Sequence, residues 1–440
     1  MSDTPPEMPK GLESRAAALD LIERVAGGEP LEDALAGAPA FKALTGSDRA
    51  FARALASTVM RRRGTIDHVI SNFIDRPLPK KSRRVTDILR LVTAQSLLLG
   101  IPDHAVVSTS VDLTNLRQEN AGYAKLVNAV ARKITSRGEA LMQKAPERVD
   151  TPAWLWRAWD RAYGPLRTRQ ITKAHRDLAP LDLMLKDPAT AADFAKRLDA
   201  DELTGGAIRL RKNADVPTLD GFEDGAWWVQ DFAASLPVRL LGDITGKTVY
   251  DLCAAPGGKT MQLAARGANV TAVDRAPDRL ERLNSNLTRV GLRAETVCAD
   301  VLKWRPTEKA DAILLDVPCS STGTLRRHPD IAWTKTEEDI EALTILQAKM
   351  IDRVLPHLKT GGLLIYCVCS LQREEGEQQI SNTLKRYANL ARAPIDPAVD
   401  LIPADAVNRD GDLRTLPPFA PRDGVTGGMD GFFAARLRKN

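Results

Sequence analysis

The sequence predicts a multidomain protein in which an all-α helical bundle precedes a small α+β region and an α/β domain with a mostly parallel sheet. Three observations predict this. Apolar residues recur at helical spacing through the first third of the chain, a tryptophan-rich segment follows, and from about residue 236 apolar strands alternate with helical stretches. A chain of 440 residues also exceeds one ordinary hydrophobic core.

Domain limits are placed where the composition changes. The predicted regions are 10–138 for the helical bundle, 139–165 for a connector, 166–235 for a small α+β subdomain and 236–440 for the α/β domain. Three apolar stripes at i, i+3, i+4 and i+7 mark helices in the first region. The stripes are Ala18, Leu21, Ile22 and Val25; Val85, Ile88, Leu89 and Val92; and Leu126, Val127, Val130 and Ile134. Gly27 and Gly138 follow as predicted helix stops.

The connector holds Trp154, Trp156 and Trp159 between Pro152 and Pro165. Aromatic side chains at this density usually pack against a neighbouring domain rather than bind a ligand. We therefore predict an ordered, packed connector.

Positive charge is concentrated rather than spread. Lys and Arg number 62 against 57 Asp and Glu, but residues 51–90 hold ten basic and three acidic residues. Such a block suits a phosphate backbone, although a charge run alone is also typical of a solvated helical face.

The sequence has no apolar run of about 18 residues, and the first twenty positions lack a basic-then-apolar pattern. We therefore expect a cytoplasmic protein that does not engage a membrane.

The five cysteines lie at positions 253, 298, 319, 367 and 369, without a CxxC pair. This spacing argues against a disulfide framework and a zinc ribbon, and with only five histidines no metal site is predicted. We expect free thiols, with Cys253, Cys298 and Cys367 acting as small buried hydrophobic residues.

Predicted strands of the α/β domain end in chemically capable residues. The strands are KTVYDLC, ANVTAVD, AETVCAD, ADAILLD and GGLLIYCVC, with DGFFAARLRK as a final strand. Ligands of such sheets collect at the carboxyl ends of parallel strands. A turn at Gly257-Gly258 lets backbone approach a ligand, while Asp274 and Asp300 could receive a ribose and an adenine amino group. Nothing in this turn suits a pyrophosphate, which favours S-adenosylmethionine over a dinucleotide.

The next two strands end near Asp316, Cys319 and Cys369. Carbon 5 of cytosine becomes nucleophilic when a thiolate adds to carbon 6 and an acid binds N3, and a second thiol could help remove the carbon-5 proton. Both cysteines lie where a strand gives way to a loop, a position in which a thiol can be exposed and reactive.

The motifs DLCAAPGGKT, DVPCSSTGTLRRHPDIAW and YCVCS resemble those of RNA cytosine-5 methyltransferases, and in particular of the bacterial 16S rRNA enzymes of the RsmB/Sun type. In the N-terminal region, SDRAFARAL, IPDHAVV and LVNAVARKI are similar to a NusB-like RNA-binding domain, and VQDFAASLP and DGFFAARL also fit. The resemblance implies a NusB-like bundle and a Rossmann-like methyltransferase domain with a mostly parallel seven-stranded sheet.

The resemblance also implies residue roles. Cys369 would be the nucleophile, Cys319 would assist product release and Asp316 would bind the cytosine. Residues implied near S-adenosylmethionine are Cys253, Ala254, Ala255, Pro256, Gly257, Gly258, Lys259, Asp274, Arg279, Asp300 and Asp316. Residues expected to contact RNA are Arg61, Arg62, Arg63, Lys80, Lys81, Arg83, Arg84, Arg326 and Arg327, the last two from a segment expected over the active site. The implied partner is RNA, 16S rRNA first, and we expect a monomer.

Alternatives remain open from the sequence. A DNA cytosine-5 methyltransferase would attack with Cys319, and a non-catalytic RNA-binding factor would use the basic helical domain alone. Transfer RNA or another RNA could replace 16S rRNA as the substrate.

Overall fold

The structure is a computed structural model that describes residues 9, 11–212 and 214–440, and the side chain of Lys80 lies outside what it describes. The chain forms two compact units. The first, here the helical unit, runs to Arg176 and also contains Leu325–Lys335; the second, the sheet unit, comprises Asp177–Thr324 and Thr336–Asn440.

Secondary structure follows the predicted change from helices to alternating strands and helices. The helices are α1 (Leu12–Ala26), α2 (Leu31–Gly37), α3 (Pro39–Lys42), α4 (Gly46–Arg61), α5 (Arg63–Ser71), α6 (Arg83–Leu97), α7 (Asp103–Asn115), α8 (Gln118–Ala121), α9 (Ala124–Gln143), α10 (Ala153–Ala174), α11 (Ala191–Arg197), α12 (Phe232–Arg239), α13 (Gly258–Ala265), α14 (Pro277–Val290), α15 (Ile331–Thr334), α16 (Glu337–Val354), α17 (Glu377–Arg386) and α18 (Pro397–Asp400). The strands are β1 (Asp182–Leu185), β2 (Ala200–Leu203), β3 (Ala207–Leu210), β4 (Trp227–Val229), β5 (Thr248–Leu252), β6 (Asn269–Asp274), β7 (Glu295–Cys298), β8 (Ala310–Asp316), β9 (Leu358–Val368), β10 (Leu390–Arg392), β11 (Leu413–Thr415) and β12 (Phe432–Lys439).

The helical unit buries the predicted apolar stripes of α1, α6 and α9, apart from a half-buried Leu126, in one core. Helix α1 ends at the predicted stop, Gly27. The other predicted stop is wrong, because α9 continues through Gly138 to Gln143. A Cβ at Gly138 would lie 2.8 Å from Leu97 Cδ1, so this glycine permits close helix packing. The predicted domain limits 138, 165 and 235 fall inside α9, α10 and α12, and residue 10 lies outside the described residues.

The tryptophan-rich segment forms most of α10, which is interrupted at Gly164 with φ 76° and ψ 166°. Trp159 is fully buried, and its ring lies 5.3 Å from that of His175 at the end of the same helix. Burial and the charges of Arg326 and Arg61 lower the pKa of His175 to about 3, so its ring is neutral. The connector is therefore part of the helical core.

Residues 325–335 belong to the helical unit through specific contacts. Asp330 Oδ2 accepts a 3.0 Å hydrogen bond from the Leu31 N–H at the start of α2, and Trp333 Nε1 donates a 2.8 Å bond to the Met60 carbonyl. Satisfying the exposed N–H groups of a helix start is a common role for aspartate.

Two sheets build the sheet unit. The smaller, β2-β3-β1-β4, is antiparallel, and its buried Asp182 pairs with Arg209 through bonds of 2.7 and 2.8 Å. In the described residues the larger sheet has eight strands rather than the expected seven: seven follow the order β10-β12-β9-β8-β5-β6-β7, and the short β11 is added on β12. Strands β5 to β9 pair in parallel and β12 runs antiparallel to β9, which confirms the predicted helical, α+β and α/β fold classes.

None of the helices in the described part of the chain combines the length and the apolar character that crossing a bilayer requires.

Close backbone packing at the start of α5 provides a test of the helical unit. A Cβ at Gly64 would lie 1.6 Å from the Val149 carbonyl oxygen, whereas nothing lies within 4 Å of a Cβ at Gly122. We expect Gly64→Ala to lower the free energy of unfolding by roughly 2–3 kcal/mol, because the backbone must move to relieve overpacking. Urea unfolding of the full chain, followed by circular dichroism, measures this loss. Gly122→Ala is the matched control, and equal stability of the two variants would contradict the packing.

Candidate active site

The parallel pairing of β8 with β9 places the predicted reactive residues together. Asp316, the last residue of β8, lies in register with Cys367, and Cys369 follows the end of β9 by one position. Cys319 lies in the loop after β8. The Sγ atoms of Cys319 and Cys369 are 3.5 Å apart, and each lies within 3.9 Å of the Ser321 hydroxyl oxygen. The sequence prediction that these strand ends converge is thus confirmed.

Asp316 belongs to a partly buried ion pair. Lys259 Nζ lies 2.8 Å from Asp316 Oδ2 and 5.1 Å from the centre of the Phe432 ring. Burial lowers the pKa of Lys259, but the negative charges of Asp316 and Cys367 and the hydrogen bond to Asp316 outweigh burial and raise that pKa above its ordinary value. Lys259 is therefore a permanent cation beside Asp316.

The cysteines of the site differ in exposure and charge. Cys369 and Cys319 are half-buried, whereas Cys367 is fully buried with its sulfur 3.5 Å from Asp316 Oδ1. Burial and the charge of Asp316 raise the pKa of Cys367 well above its usual value. The hydrogen bond to Cys369, burial, and the charges of Cys369 and Glu375 likewise raise the pKa of Cys319. The raised pKa values favour the neutral thiol form of Cys319 and Cys367.

The turn between β5 and α13 has the backbone geometry that its glycines predicted. Gly257 has a φ of 104°, and a Cβ there would lie 2.9 Å from Leu283 Cγ, so no other residue fits. Cys253 opens the turn with a φ of 64° and is half-buried, and the same turn buries Ala254 and Ala255 and exposes Pro256. The first N–H groups of α13 therefore face a loop with few side chains.

The two predicted adenosine ligands differ. Asp274 ends β6 and is buried, and its two oxygens accept bonds from the Ala255 and Ala276 N–H groups at 3.1 and 3.0 Å. Asp300 lies two residues after β7 and is exposed, with Oδ1 accepting a bond from the Leu302 N–H. Arg279 is half-exposed and donates to the Ala255 carbonyl. Asp274 shapes the loop, and Asp300 is accessible to a ligand.

Two buried acids in this region were missed by the sequence reasoning. Asp251 in β5 accepts a 2.6 Å bond from the Thr260 hydroxyl, and its Oδ1 is buried without a hydrogen-bond partner. Burial raises the pKa of Asp251 to about 7. Glu375, after β9, contacts residues beside both loop cysteines. The position of Asp251 inside an apolar strand could have indicated a buried acid. Glu375 follows another glutamate, a pattern typical of a solvent-exposed helix start, so the sequence did not indicate its burial.

The expectation of small buried cysteines holds for Cys367 but is wrong for Cys298. Cys298 is exposed at the end of β7, an edge strand of the large sheet, where few side chains cover it. In the described residues no cluster of His, Cys, Asp and Glu has the arrangement of a metal site.

The predicted RNA-contacting arginines are placed unevenly. Arg61 and Arg326 are buried in the helical unit. Arg84 is largely buried, and its Nη1 atom lies 2.6 Å from Glu23 Oε2. Arg62 pairs with the nearly buried Asp150 at 3.2 Å, and Arg63 lies 4.8 Å from the centre of the Trp333 ring. Internal partners use these guanidinium groups, so the structure does not favour phosphate contacts through Arg61, Arg84 or Arg326.

Other predicted RNA contacts remain accessible. Lys81 and Arg83 are exposed and Arg327 is half-buried, while the side chain of Lys80 lies outside the described residues. Arg327 lies within residues 325–335, which pack in the helical unit through Asp330 and Trp333.

The raised pKa of Asp251 predicts a pH effect on stability. Folded Asp251 keeps its proton up to about pH 7, whereas its ordinary pKa is 3.8, so the free energy of unfolding falls as pH rises through that interval. Asp251→Asn removes this ionisation. On going from pH 4 to pH 8, the free energy of unfolding of the variant should therefore rise by roughly 4 kcal/mol relative to that of the natural chain. Urea unfolding at both pH values measures the difference.

The control for this measurement is Asp224→Asn, at an exposed aspartate, which should follow the natural chain at both pH values. An Asp251→Asn protein with the same pH dependence as that control would show that Asp251 is ionised in the fold.

Comparison with known proteins agrees with this geometry. Residues 238–438 match the family model described as 16S rRNA methyltransferase RsmB/F, and residues 12–136 match the NusB family. The crystal structure of PH0851 superposes with a TM-score of 0.75 and 22% identity, covering 99% of this chain and all of that one. NSun6 from Pyrococcus horikoshii, solved with SFG, has a TM-score of 0.55 and 18% identity over 66% of this chain and 98% of that one. These structures support the fold.

Relatives of higher identity extend over both units. Ribosomal RNA small subunit methyltransferase B of Enterobacter sp. (strain 638) is 34% identical over 421 residues, which cover 90% of this chain and 96% of that protein. The protein of the same name from Escherichia coli (strain K12) is 34% identical over 401 residues, or 87% and 92% of the two chains. On this similarity, the chain belongs to the RsmB/F family of 16S rRNA methyltransferases.

Proposed function

We propose that the protein transfers a methyl group from S-adenosylmethionine to carbon 5 of a cytosine in 16S rRNA, through a covalent bond between Cys369 and carbon 6. The observation that carries this proposal is the grouping of Asp316, Cys319 and Cys369 at two adjacent parallel strand ends, with the two sulfurs 3.5 Å apart. Family membership supports the RNA and its small-subunit origin.

The chain's own residues can carry out the activation of the base. The Cys369 thiolate forms a bond to carbon 6, and the electron pair of the C5–C6 double bond moves into the ring. Asp316 and Lys259 form a nearly neutral pair that offers an acceptor for the cytosine amino group and a donor for the negative charge on the ring. This pair adds Lys259 to the expectation that Asp316 binds the cytosine.

S-adenosylmethionine, when bound, supplies an electrophilic methyl group. After carbon 5 has gained that methyl group, a base must remove the proton from the same carbon. The electron pair of that C–H bond then restores the C5–C6 double bond and expels Cys369 as a thiolate. Cys319, 3.5 Å from Cys369, is the base that the geometry favours.

The turn from Cys253 to Lys259 fits the methyl donor. Gly257 leaves no room for a side chain, α13 begins directly after it, and Asp251, whose Oδ1 is buried without a partner, is bonded to Thr260 in the first turn of that helix. Asp300 is exposed and can receive an adenine amino group. Both oxygens of Asp274 already accept a backbone bond, so its expected contact with a ribose would use the remaining lone pairs.

Two other functions receive less support. A DNA enzyme attacking with Cys319 conflicts with the raised pKa of that thiol, which is hydrogen-bonded to Cys369. A non-catalytic RNA-binding factor would not need a paired Asp316 and Lys259 or two adjacent thiols. Transfer RNA as the substrate is less favoured, because the full-length relatives are named for the small-subunit RNA.

The role of Cys369 can be tested by trapping. With RNA that contains 5-fluorocytosine at the target position, the natural chain should form a stable adduct, since fluorine at carbon 5 cannot leave as a proton does. Mass spectrometry of the digested adduct should map the bond to Cys369. Cys369→Ala should lose methyl transfer by at least about 10³-fold and form no adduct.

Cys298→Ala, at an exposed cysteine that has no part in the proposed reaction, is the matched control and should retain both activities. An adduct mapped to Cys319 would instead support attack by that residue.

The accessible basic residues of the helical unit provide a test of RNA binding. Replacing Lys81 and Arg83 together by Glu should raise the dissociation constant for 16S rRNA and reduce the slope of its logarithm against log salt by about 1–2, because fewer counterions are released. Filter binding at several salt concentrations measures both quantities. The charge-conserving pair Lys81→Arg with Arg83→Lys should bind normally, and an unchanged slope after charge reversal would mean that this face is only solvated.

A further inference from the structure

A buried carboxylate lies directly behind the two reactive loops. Glu375, between β9 and α17, is 0% exposed and accepts hydrogen bonds from four groups. Its Oε1 accepts from the Ser320 N–H at 2.8 Å and the Gln347 side-chain amide at 3.0 Å. Its Oε2 accepts from the Ser320 and Ser370 hydroxyls, both at 2.5 Å. Bonds this short are typical of hydroxyl donors to a charged carboxylate.

The bonds of Glu375 join the two loops that carry the cysteines. Ser320 immediately follows Cys319 in the sequence and Ser370 immediately follows Cys369, so one oxygen of Glu375 holds a direct neighbour of each thiol. The hydroxyls of Ser320 and Ser370 are also 3.0 Å from each other. Glu375 is therefore placed to set the distance between the sulfurs.

The Cys319 loop needs such support. Ser321, between Ser320 and Thr322, has a φ of 58°, a left-handed conformation that costs energy for a residue other than glycine and persists only where its surroundings impose it. Thr322 Oγ1 lies 3.2 Å from Ser370 Oγ and accepts a 3.1 Å bond from the Leu371 N–H. Ser320 and Thr322, on the two sides of Ser321, are thus held by hydrogen bonds with Glu375 and Ser370.

Glu375 also acts on Cys319 through its charge. The hydrogen bond to Cys369, burial and the charges of Cys369 and Glu375 raise the pKa of Cys319, and the hydrogen bond with the Ser321 backbone opposes them. Tyr366 packs against the same cluster and donates to the Glu375 carbonyl at 2.6 Å; burial raises its pKa well above the usual value, so it is uncharged. Ionisation of Cys319 would place a second anion beside Glu375.

We propose that Glu375 is a positioning residue that fixes the Cys319 and Cys369 loops against each other and whose negative charge contributes to keeping the proton on Cys319. This inference rests on the proposed function for its catalytic meaning. While the Cys369 thiolate attacks carbon 6, Cys319 retains its proton. Once Cys369 is bonded to carbon 6 its negative charge is gone, so Cys319 can release its proton to solvent, and the Cys319 thiolate then takes the proton from carbon 5.

The test replaces the charge and keeps the shape. Glu375→Gln can still accept from the Ser320 N–H and Gln347 through its amide oxygen, while its NH₂ faces hydroxyls that can rotate to accept. The matched control is Glu374→Gln, the same change at the exposed neighbouring residue. Initial rates of iodoacetamide alkylation at pH 8.5 are resolved for each cysteine by mass spectrometry, without RNA or methyl donor.

We expect Cys319 to be alkylated about tenfold faster in Glu375→Gln than in the control, because removing a neighbouring anion raises its thiolate fraction. The rate for the buried Cys367 and the thermal unfolding midpoint should match the control. Equal Cys319 rates in the two variants would overturn the charge role. Faster alkylation of Cys319 and Cys367 together, with a lowered midpoint, would mean simple loosening and would also overturn it.

A second variant tests the link between the loops without changing the charge. Ser370→Ala removes one bond to Glu375 and should lower kcat for methyl transfer about tenfold with an unchanged KM for RNA, while Cys319 stays slow to alkylate. An unchanged kcat would overturn the positioning role. Alkylation is measured without methyl transfer, and formation of the 5-fluorocytosine adduct does not depend on Glu375. Failure of the proposed role of Glu375 is therefore distinguishable from failure of the proposed methyl transfer.

Discussion

The parallel pairing of β8 with β9 is the constraint on which the site depends. The register that sets Asp316 beside Cys367 brings the residues after both strands to the same edge of the sheet, where the two loops meet. Gly323 continues this contact by donating a 3.0 Å bond from its N–H to the Cys369 carbonyl. A shift of one residue in this pairing would turn alternate side chains to the other face and separate the acid from the thiols.

Charge within the site is arranged in two groups with different roles. Lys259 compensates Asp316 where a polar base is expected to bind, and the pair remains partly accessible. Glu375 is instead surrounded by hydroxyl and amide donors, whose dipoles stabilise it while its charge still acts on Cys319. Buried carboxylates are retained in proteins only with such compensation. The first group suits binding, and the second suits fixing a protonation state.

Sequence patterns predicted the strands well because each apolar run is long, buried and bounded by turn residues, and they predicted that Asp316 and Cys369 stand at strand ends. Sequence patterns could not predict contacts between residues that are far apart in the chain. The contacts of Arg62 with Asp150 and of Glu375 with Ser320 form only in the folded protein. Local charge therefore overstated the number of exposed arginines, and the acidic neighbours of Glu375 gave no sign that it is buried. Gly138 was interpreted as a helix stop because its packing partner, Leu97, lies in another helix.

The membership of residues 325–335 in the helical unit has a consequence for modularity. The peptide that caps α2 through Asp330 and covers Met60 through Trp333 is encoded downstream of β8, inside the region that builds the catalytic sheet. Cutting the gene after Arg176 would yield a fragment with an uncapped helix and an exposed apolar seam. Grafting, recombination or independent expression of the N-terminal part thus requires this short peptide to be supplied as well.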